Sequence, residues 1–221
     1  MWLFFLTPIM LISFIFYYAS IGGFGDMPDL EVLENPKTNL ASEVISSDGK
    51  TLGKYYFNDN RTPVTFEELP SHLVDALIAT EDIRFYSHSG IDFKRTVAAA
   101  IKLGKDGGGS TITQQLAKLL FTGEGSRDII ERLTQKFKEY IIAVRLERHY
   151  TKNEIITQYL NLYDFGNNGD GIRSAARIYF GKEPIDLDIN ESAILVGMLK
   201  NSSLYNPRPV SYTHLTLPTT D

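Results

Sequence analysis

The sequence predicts a mainly α-helical domain that follows an N-terminal transmembrane helix and a small β-hairpin near the membrane. From Pro70 onward, apolar residues recur every three or four positions, the spacing of helices that bury one face. Before that, the Asp48-Gly49 pair separates two short apolar runs, as in a tight hairpin turn. Residues 2–21 contain no charged side chain and are long enough to cross a bilayer.

Residues 1–21 are predicted to be a retained transmembrane anchor. Trp2 at one end and Tyr17 and Tyr18 near the other suit the two membrane interfaces, where aromatic rings concentrate. A cleaved signal peptide would normally have a shorter apolar core followed by a small-residue cleavage site, which is absent from this sequence. Residues 22–42 are rich in glycine, proline and asparagine and are predicted to be a linker.

Residues 43–209 are predicted to form one folded domain. The hairpin comes first, with strands at Val44-Ile45 and Leu52–Phe57. The helices are indicated by apolar faces and by residues typical of helix ends. They are expected around Leu73–Ile78, Val97–Ile101, Ile112–Leu119 with Ser110 as N-cap, Ile129–Val144, Ile155–Leu160 with a Thr151/Glu154 capping box, Ile172–Phe180 before Gly181, and Glu191–Leu199 with Asn190 as N-cap.

Residues 210–221 differ from the rest of the chain. They show no helical period, and the string S-Y-T-H-L-T-L-P-T-T-D resembles the conceptual translation of a sequencing adapter. We therefore predict a non-native tail here. A disordered natural tail is the alternative.

Composition excludes several classes of protein. The 221 residues carry a net charge of −5, which argues against a general nucleic-acid binder. There is no cysteine, so a disulfide scaffold, a Cys-ligated zinc site and a thiol nucleophile are excluded. The four histidines show no metal-binding spacing, so no protein metal site is predicted.

A first chemical motif, E-D-I-R-F-Y-S-H-S-G, occupies residues 81–90. Glu81 extends the apolar row of Leu73 and Leu77 by one turn, so its carboxylate is expected to be partly desolvated, as suits a general base. The simpler alternative is a solvated helix end.

A second motif, G-G-G-S-T-I-T-Q-Q, occupies residues 107–115. Glycines followed by Ser110 and Thr111 at a helix start can present backbone N–H groups to an anion. The Gly-Lys-Ser/Thr of a phosphate-binding P-loop is absent, and a flexible loop before an ordinary N-cap is the alternative. The amides of Gln114 and Gln115 suit a sugar or an N-acetyl group.

Two further motifs lie on the helices that follow. Lys136 and Glu139, in Q-K-F-K-E, are three residues apart and share one helical face, as in a surface ion pair. Residues 152–161 mix core positions with the polar Gln158 and Asn161, and by themselves they indicate a packing helix.

Taken together and in this order, the motifs resemble those of the peptidoglycan glycosyltransferase domain, glycosyltransferase family 51. This domain occurs in class A penicillin-binding proteins and in monofunctional glycan polymerases. The resemblance covers about residues 40–209 and includes a fifth motif at residues 170–182. It implies a lysozyme-like helical fold. Two residues depart from the family pattern. Gln135 stands where arginine is usual, and Asp170 stands where the fifth motif often opens with arginine or a small residue.

The resemblance implies polymerisation of lipid II into β-1,4 glycan strands, with inversion and release of the polyprenyl diphosphate. Glu81 matches the general base and Glu139 the second essential glutamate. Lys118 and Lys136 match diphosphate-binding cations, a set completed by Arg127 or Arg132. The implied substrate-binding residues are Asp82, Phe85, His88, Ser110, Thr111, Gln114, Gln115, Lys118, Arg132, Lys136 and Asn161. Within this set, Phe85 and His88 are expected to shape the first motif.

The same resemblance implies a location and partners. The expected location is the bacterial inner membrane, with a single-pass anchor and the catalytic domain on the outer side. Partners would be lipid II, the lipid-linked glycan chain, the membrane and other cell-wall synthesis proteins, with no nucleic acid. No cofactor is required by the sequence, although Mg²⁺ or Mn²⁺ could assist at the diphosphate. S-x-x-K at residues 47–50 has no K-T-G partner in this sequence, so it is not taken as a transpeptidase motif. The resemblance implies that a larger parent protein continues past Pro209 into a transpeptidase domain, which the adapter-like tail fits.

Two other functions fit parts of the sequence. A lysozyme-like hydrolase would share the helical fold and a catalytic glutamate, but the second motif and the Glu81/Glu139 pair argue against it. A non-catalytic membrane-anchored cell-wall scaffold is kept open by Gln135. It would bind lipid II without turnover.

Overall fold

The computed structural model describes scattered positions among the first 23 residues, and then residues 42–48, 51–55, 61–101, 109–123, 128–202 and 204–207. Most of the predicted anchor and linker, the predicted tail and Arg127 lie outside the described residues. Within the part of the chain that is described, no helix is both long and apolar enough to span a membrane.

The hairpin segment pairs two short antiparallel strands on either side of the Asp48-Gly49 pair. Strand β1 is Ser42–Ile45 and strand β2 is Thr51–Tyr55. The register places Val44 opposite Gly53, and it shifts by an irregularity between Val44 and Ile45.

Helices make up most of the described residues, which confirms the mainly α class that the periodicity predicted. Short 3₁₀ turns lie at Phe66–Glu68, Phe85–Ser87 and Pro184–Asp186. The α-helices are α1 Ser71–Glu81, α2 Phe93–Ile101, α3 Ile112–Ala117, α4 Ile129–His149, α5 Lys152–Leu162, α6 Gly171–Phe180 and α7 Ile189–Lys200. Helix α3 continues into a π-helical turn at Lys118–Thr122.

Two helix starts differ from the sequence prediction. Helix α3 is capped by Thr111 and not by Ser110, and α7 is capped by Asp188 and not by Asn190. The reason is the capping box, which needs Gln or Glu three residues after the cap. Gln114 and Glu191 stand at those positions. The Thr151/Glu154 box and the Gly181 C-cap, at φ 68°, are confirmed.

The core places the second motif at the centre of the domain. Helix α3 packs against both α4 and α5, and α1 packs against α7. Five of the six residues of α3 are buried, so its short length is compensated by tertiary packing. Ile112 and Leu116 are fully buried in the same hydrophobic core cluster as Leu73 and Leu77 of α1. This packing brings the first four sequence motifs to neighbouring positions.

Candidate active site

A cleft of about 1140 Å³ opens where the end of α1 meets α3, α4 and α5. Both predicted catalytic carboxylates, Glu81 and Glu139, line it. Of the predicted substrate-binding residues, the cleft also collects Ser110, Gln114, Gln115, Lys118, Arg132 and Lys136. Four segments that are far apart in sequence therefore contribute polar groups to one concave surface.

Glu81 is the last residue of α1 and is partly buried. Its Oε2 accepts a hydrogen bond from Gln115 Nε2 at 2.8 Å, and its main-chain carbonyl accepts one from Arg95. The other carboxylate oxygen has no donor among the described residues. One oxygen is thus held by the protein while the other stays available to an incoming group.

Glu139 lies one helical turn after Lys136 on α4. Lys136 Nζ donates to Glu139 Oε2 at 2.6 Å and to Ser110 Oγ at 2.7 Å. The predicted ion pair is therefore present, but Glu139 is buried, so this is not the solvated surface pair that the spacing alone suggests. Lys136 also ties the second motif to the third.

Two further cations reach the cleft from different elements. Lys118 begins the π-helical turn after α3, and Arg132 lies in the first turns of α4; both are exposed. Neither side chain makes a hydrogen bond or an ion pair with any of the described residues. Since no described carboxylate pairs with either charge, both cations can bind an anion such as a phosphate. Gln135 lines the cleft as a neutral group.

Asp82, Phe85 and His88 lie behind the cleft wall. Asp82 is 1% exposed and accepts hydrogen bonds from His88 Nε2 at 3.0 Å and from the Ile112 N–H at 3.1 Å. Phe85 is fully buried, with Lys152 Nζ 4.2 Å from its ring centroid. The structure therefore assigns these residues to fixing the first motif against α3 and α5.

Thr111 and Gln114 bind the same backbone carbonyl. Thr111 Oγ1 donates to the Gly90 carbonyl at 2.7 Å, and Gln114 Nε2 does so at 3.2 Å. Gly90 has a φ of 89°, and a Cβ there would lie 2.8 Å from the Ala143 carbonyl on α4. Only glycine fits this junction of the first two motifs. Thr111 does not line the cleft.

Asn161 is placed away from the cleft. Its Oδ1 accepts from the Val64 N–H at 2.9 Å, and its Nδ2 donates to the Val64 carbonyl at 2.9 Å. The whole amide is used to hold the segment before α1 against α5. This position gives Asn161 a packing role and no contact with the cleft.

The arrangement of these segments matches a known family. A family model described as transglycosylase matches residues 48–216. The chain belongs to the transglycosylase family. This confirms the resemblance found from the motifs and the enzyme class, a peptidoglycan glycosyltransferase. The match starts in the hairpin turn and runs into the segment predicted to be a tail.

Several curated relatives are similar to this transglycosylase chain. Penicillin-binding protein 1A of Pseudomonas aeruginosa and its namesake from Escherichia coli K12 are each 38% identical over 186 residues, 82% of the chain. Penicillin-binding protein 1F of Bacillus subtilis is 40% identical over 173 residues, 76% of the chain. The matched regions make up 22%, 21% and 23% of those three relatives. The chain thus spans less than a quarter of their length.

The transglycosylase cleft contains a tyrosine that sequence reasoning treated as core. Tyr159 of α5 lines the cleft and donates from its hydroxyl to Gln115 Oε1 at 2.8 Å. Burial, with smaller contributions from the charge of Glu81 and from Tyr163, raises the pKa of Tyr159 well above its usual value. Tyr163, four residues later, shares this face, and its hydroxyl donates to the Leu199 carbonyl at 3.0 Å. The four-residue spacing was the available sign that both rings share a face.

One side of the transglycosylase cleft is apolar and exposed. Leu119, Ile129 and Leu133 line it with exposures of 40%, 72% and 56%. A cleft with cations and carboxylates on one side and aliphatic side chains on the other suits an amphipathic ligand.

A protein metal cage is not found among the described residues, where no three His, Asp or Glu side chains are grouped to hold an ion. The described lining of the cleft is rich in ammonium and guanidinium groups, which cannot coordinate Mg²⁺.

Proposed function

We propose that this transglycosylase domain polymerises lipid II into β-1,4 glycan strands, with inversion at the anomeric carbon and release of the polyprenyl diphosphate. The observation that carries the proposal is the meeting of Glu81 and Glu139 with Lys118, Arg132 and Lys136 in one cleft. Two carboxylates beside a cluster of cations suit the transfer of a sugar from a diphosphate leaving group.

On the acceptor side, Glu81 acts as general base. It takes the proton from the sugar 4-hydroxyl of lipid II as that oxygen bonds to the donor's anomeric carbon and the bond to the diphosphate breaks. Its free carboxylate oxygen and its partial burial support this role. The hydrogen bond from Gln115 keeps the base oriented.

On the donor side, the cations stabilise the departing diphosphate. Lys118 and Arg132 supply net positive charge because neither is paired with a described carboxylate. Lys136 is paired with Glu139, so its main contribution is to hold that carboxylate in place. Glu139 then faces the positive charge that develops on the donor sugar.

We also propose that a divalent cation, Mg²⁺ or Mn²⁺, reaches the cleft bound to the substrate diphosphate. The described lining of the cleft carries several Lys and Arg side chains and no cluster of metal-binding residues, which supports entry of the ion with the diphosphate over a metal site formed by the protein. Bound there, the ion would supply further charge neutralisation of the leaving group.

For the whole protein we propose a single-pass location in the bacterial inner membrane, with this domain on the outer side. The uncharged run at residues 2–21 and the apolar rim of Leu119, Ile129 and Leu133 support contact with lipid. The proposed partners are lipid II, the lipid-linked glycan and other cell-wall synthesis proteins. The net charge of −5 argues against nucleic-acid binding.

The test is gel-resolved polymerisation of labelled lipid II by the detergent-solubilised chain. We expect polymer from the parent and loss of at least 100-fold in rate for Glu81→Gln, as for other catalytic bases. Asp75→Asn is the matched control, because it changes a carboxylate to an amide on the exposed side of the same helix. It should polymerise like the parent.

Other outcomes would support other functions. Cleavage of finished glycan without polymerisation would support a lysozyme-like hydrolase. Binding of lipid II without turnover, unchanged in Glu81→Gln, would support a non-catalytic scaffold. Equal polymerisation by parent and Glu81→Gln would remove Glu81 from the mechanism.

A further inference from the structure

We propose that Tyr159 is a positioning residue of the reaction, and that it acts on Glu81 through Gln115. This inference rests on the proposed function, in which Glu81 is the general base. The three side chains form one continuous relay, from the Tyr159 hydroxyl to Gln115 Oε1 at 2.8 Å and from Gln115 Nε2 to Glu81 Oε2 at 2.8 Å.

The relay has a direction fixed by its two ends. An ionised carboxylate only accepts hydrogen bonds, so it requires the N–H₂ side of the Gln115 amide. A neutral phenol can donate, so it satisfies the carbonyl side of the same amide. With both ends in place, a flip of the amide would place an oxygen against the Glu81 carboxylate.

Tyr159 is suited to act as the fixed end. Its side chain, on α5, is fully buried in the core of the domain, whereas Glu81 and Gln115 are partly exposed at the cleft. Because burial raises the pKa of Tyr159 well above its usual value, the phenol stays protonated over the working range of pH. It therefore remains a donor while Glu81 gains and loses a proton.

Without the Tyr159 hydroxyl, Gln115 would lose the partner that sets its orientation. The amide could then rotate, and the Gln115 N–H would no longer be held on Glu81 Oε2. A hydrogen bond to the charged form of a carboxylate favours that form, so its loss disfavours the ionised base. The removal of one buried hydroxyl would thus change both the position and the protonation of the base.

The cleft makes this effect measurable from the dependence of rate on pH. Glu81 and Glu139 are the two carboxylates among the described lining residues. The other ionisable side chains there are Lys, Arg and Tyr, residue types whose model-compound pKa values are alkaline. A shift in the acid limb of the profile therefore reports on a carboxylate, and Glu81 is the one that the relay contacts.

The experiment compares lipid II polymerisation by the full chain with that of Tyr159→Phe, Gln115→Ala and the double variant. We expect Tyr159→Phe to lower kcat about tenfold, the effect of one hydrogen bond to a charged group, with KM changed less than threefold. The acid limb of its pH–kcat profile should move to higher pH. In the Gln115→Ala background, Tyr159→Phe should have no further effect on kcat.

Tyr179→Phe is the control for the loss of a phenol. The Tyr179 hydroxyl donates to the Phe165 carbonyl at 2.8 Å, outside the cleft. The Tyr179→Phe variant should keep the parental kcat and pH profile even if its midpoint of thermal unfolding falls.

Two results would overturn the inference while leaving the proposed function standing. One is that the parent polymerises lipid II and the Tyr159→Phe variant shows the same kcat and the same acid limb of the pH–kcat profile. The other is an equal loss from Tyr159→Phe with and without Gln115, which would show an effect on folding alone. A parent that fails to polymerise, with Glu81→Gln equally inactive, would instead contradict the proposed function.

Discussion

Lys136 Nζ and Glu139 Oε2 form an ion pair of 2.6 Å in which the Glu139 side chain is 8% exposed and the Lys136 side chain 36% exposed. The pair therefore spans the boundary between the core of α4 and the cleft. The buried member of the pair, the Glu139 carboxylate, is the group proposed to face the donor sugar. The exposed end is also bonded to Ser110 Oγ at 2.7 Å, which fixes its position.

The first prediction follows from that geometry. Lys136→Met removes the partner of a buried carboxylate and leaves its charge unpaired. We expect kcat/KM for lipid II polymerisation to fall about 100-fold, the effect of losing one preorganised donor at a site of developing charge. Lys138→Met is the control on the same helix, since Lys138 does not line the cleft, and should stay within about threefold of the parent. Similar losses in both variants would contradict the role given to Lys136.

A second prediction concerns the two cations without described partners. Lys118→Ala and Arg132→Ala should each raise KM about tenfold or more, the effect of one charge-assisted hydrogen bond to a phosphate. Both losses should shrink as salt is added, because exposed charges are screened. Lys94→Ala, on the exposed side of α2 and outside the cleft, is the matched control. The measurement is the initial rate against lipid II concentration at two ionic strengths.

The sequence identified the residues that line the cleft better than it identified their roles. Glu81 follows from helical facing, because a face is set by the 3.6-residue period. Gln115 follows from its motif, and Lys118 from the family resemblance. A period does not say which element will cover a face. The family resemblance placed Asp82 and His88 among the substrate-binding residues, whereas in the structure they bond one another and Asp82 also accepts from the N–H of Ile112 at the start of α3.

The same limit explains the residue that the sequence analysis missed. Tyr159 stands among core positions, and its burial was expected from the pattern. Its contact with Gln115 depends on how α5 packs against α3, which is a tertiary fact. A core position next to an active site can carry a polar end that only the packing reveals.

A third prediction uses the pH dependence of stability. Asp92 accepts from Arg84 Nε at 2.7 Å and from the Arg95 N–H at 3.0 Å. Desolvation by burial would raise the pKa of Asp92, but the bonds from Arg84 and the Arg95 N–H, with the nearby charges, lower it below its usual value of 3.8. A lowered pKa in the folded state means that this stabilisation is present above about pH 3.8 and is lost as the pH falls through the folded-state value.

Asp92→Asn should therefore lower the free energy of unfolding at pH 7 and flatten its decline below about pH 4. Urea unfolding of both forms between pH 7 and pH 3 provides the measurement. Asp75→Asn, on an exposed face, is the control and should follow the parental curve. Parallel curves for Asp92→Asn and the parent would mean that the Arg84–Asp92 pair adds nothing that depends on pH.

The last prediction decides between two roles for Asn161, which the motif resemblance placed with the substrate and the structure places on Val64. Asn161→Ala leaves the Val64 N–H and carbonyl without their partners, so the free energy of unfolding should fall by about 1–3 kcal/mol. KM for lipid II should change less than twofold, since the amide does not line the cleft. Asn153→Ala, exposed in the first turn of the same helix, should change neither quantity. A rise in KM at unchanged stability would return Asn161 to the substrate site, because a clamp on the segment before α1 acts on folding before it acts on binding.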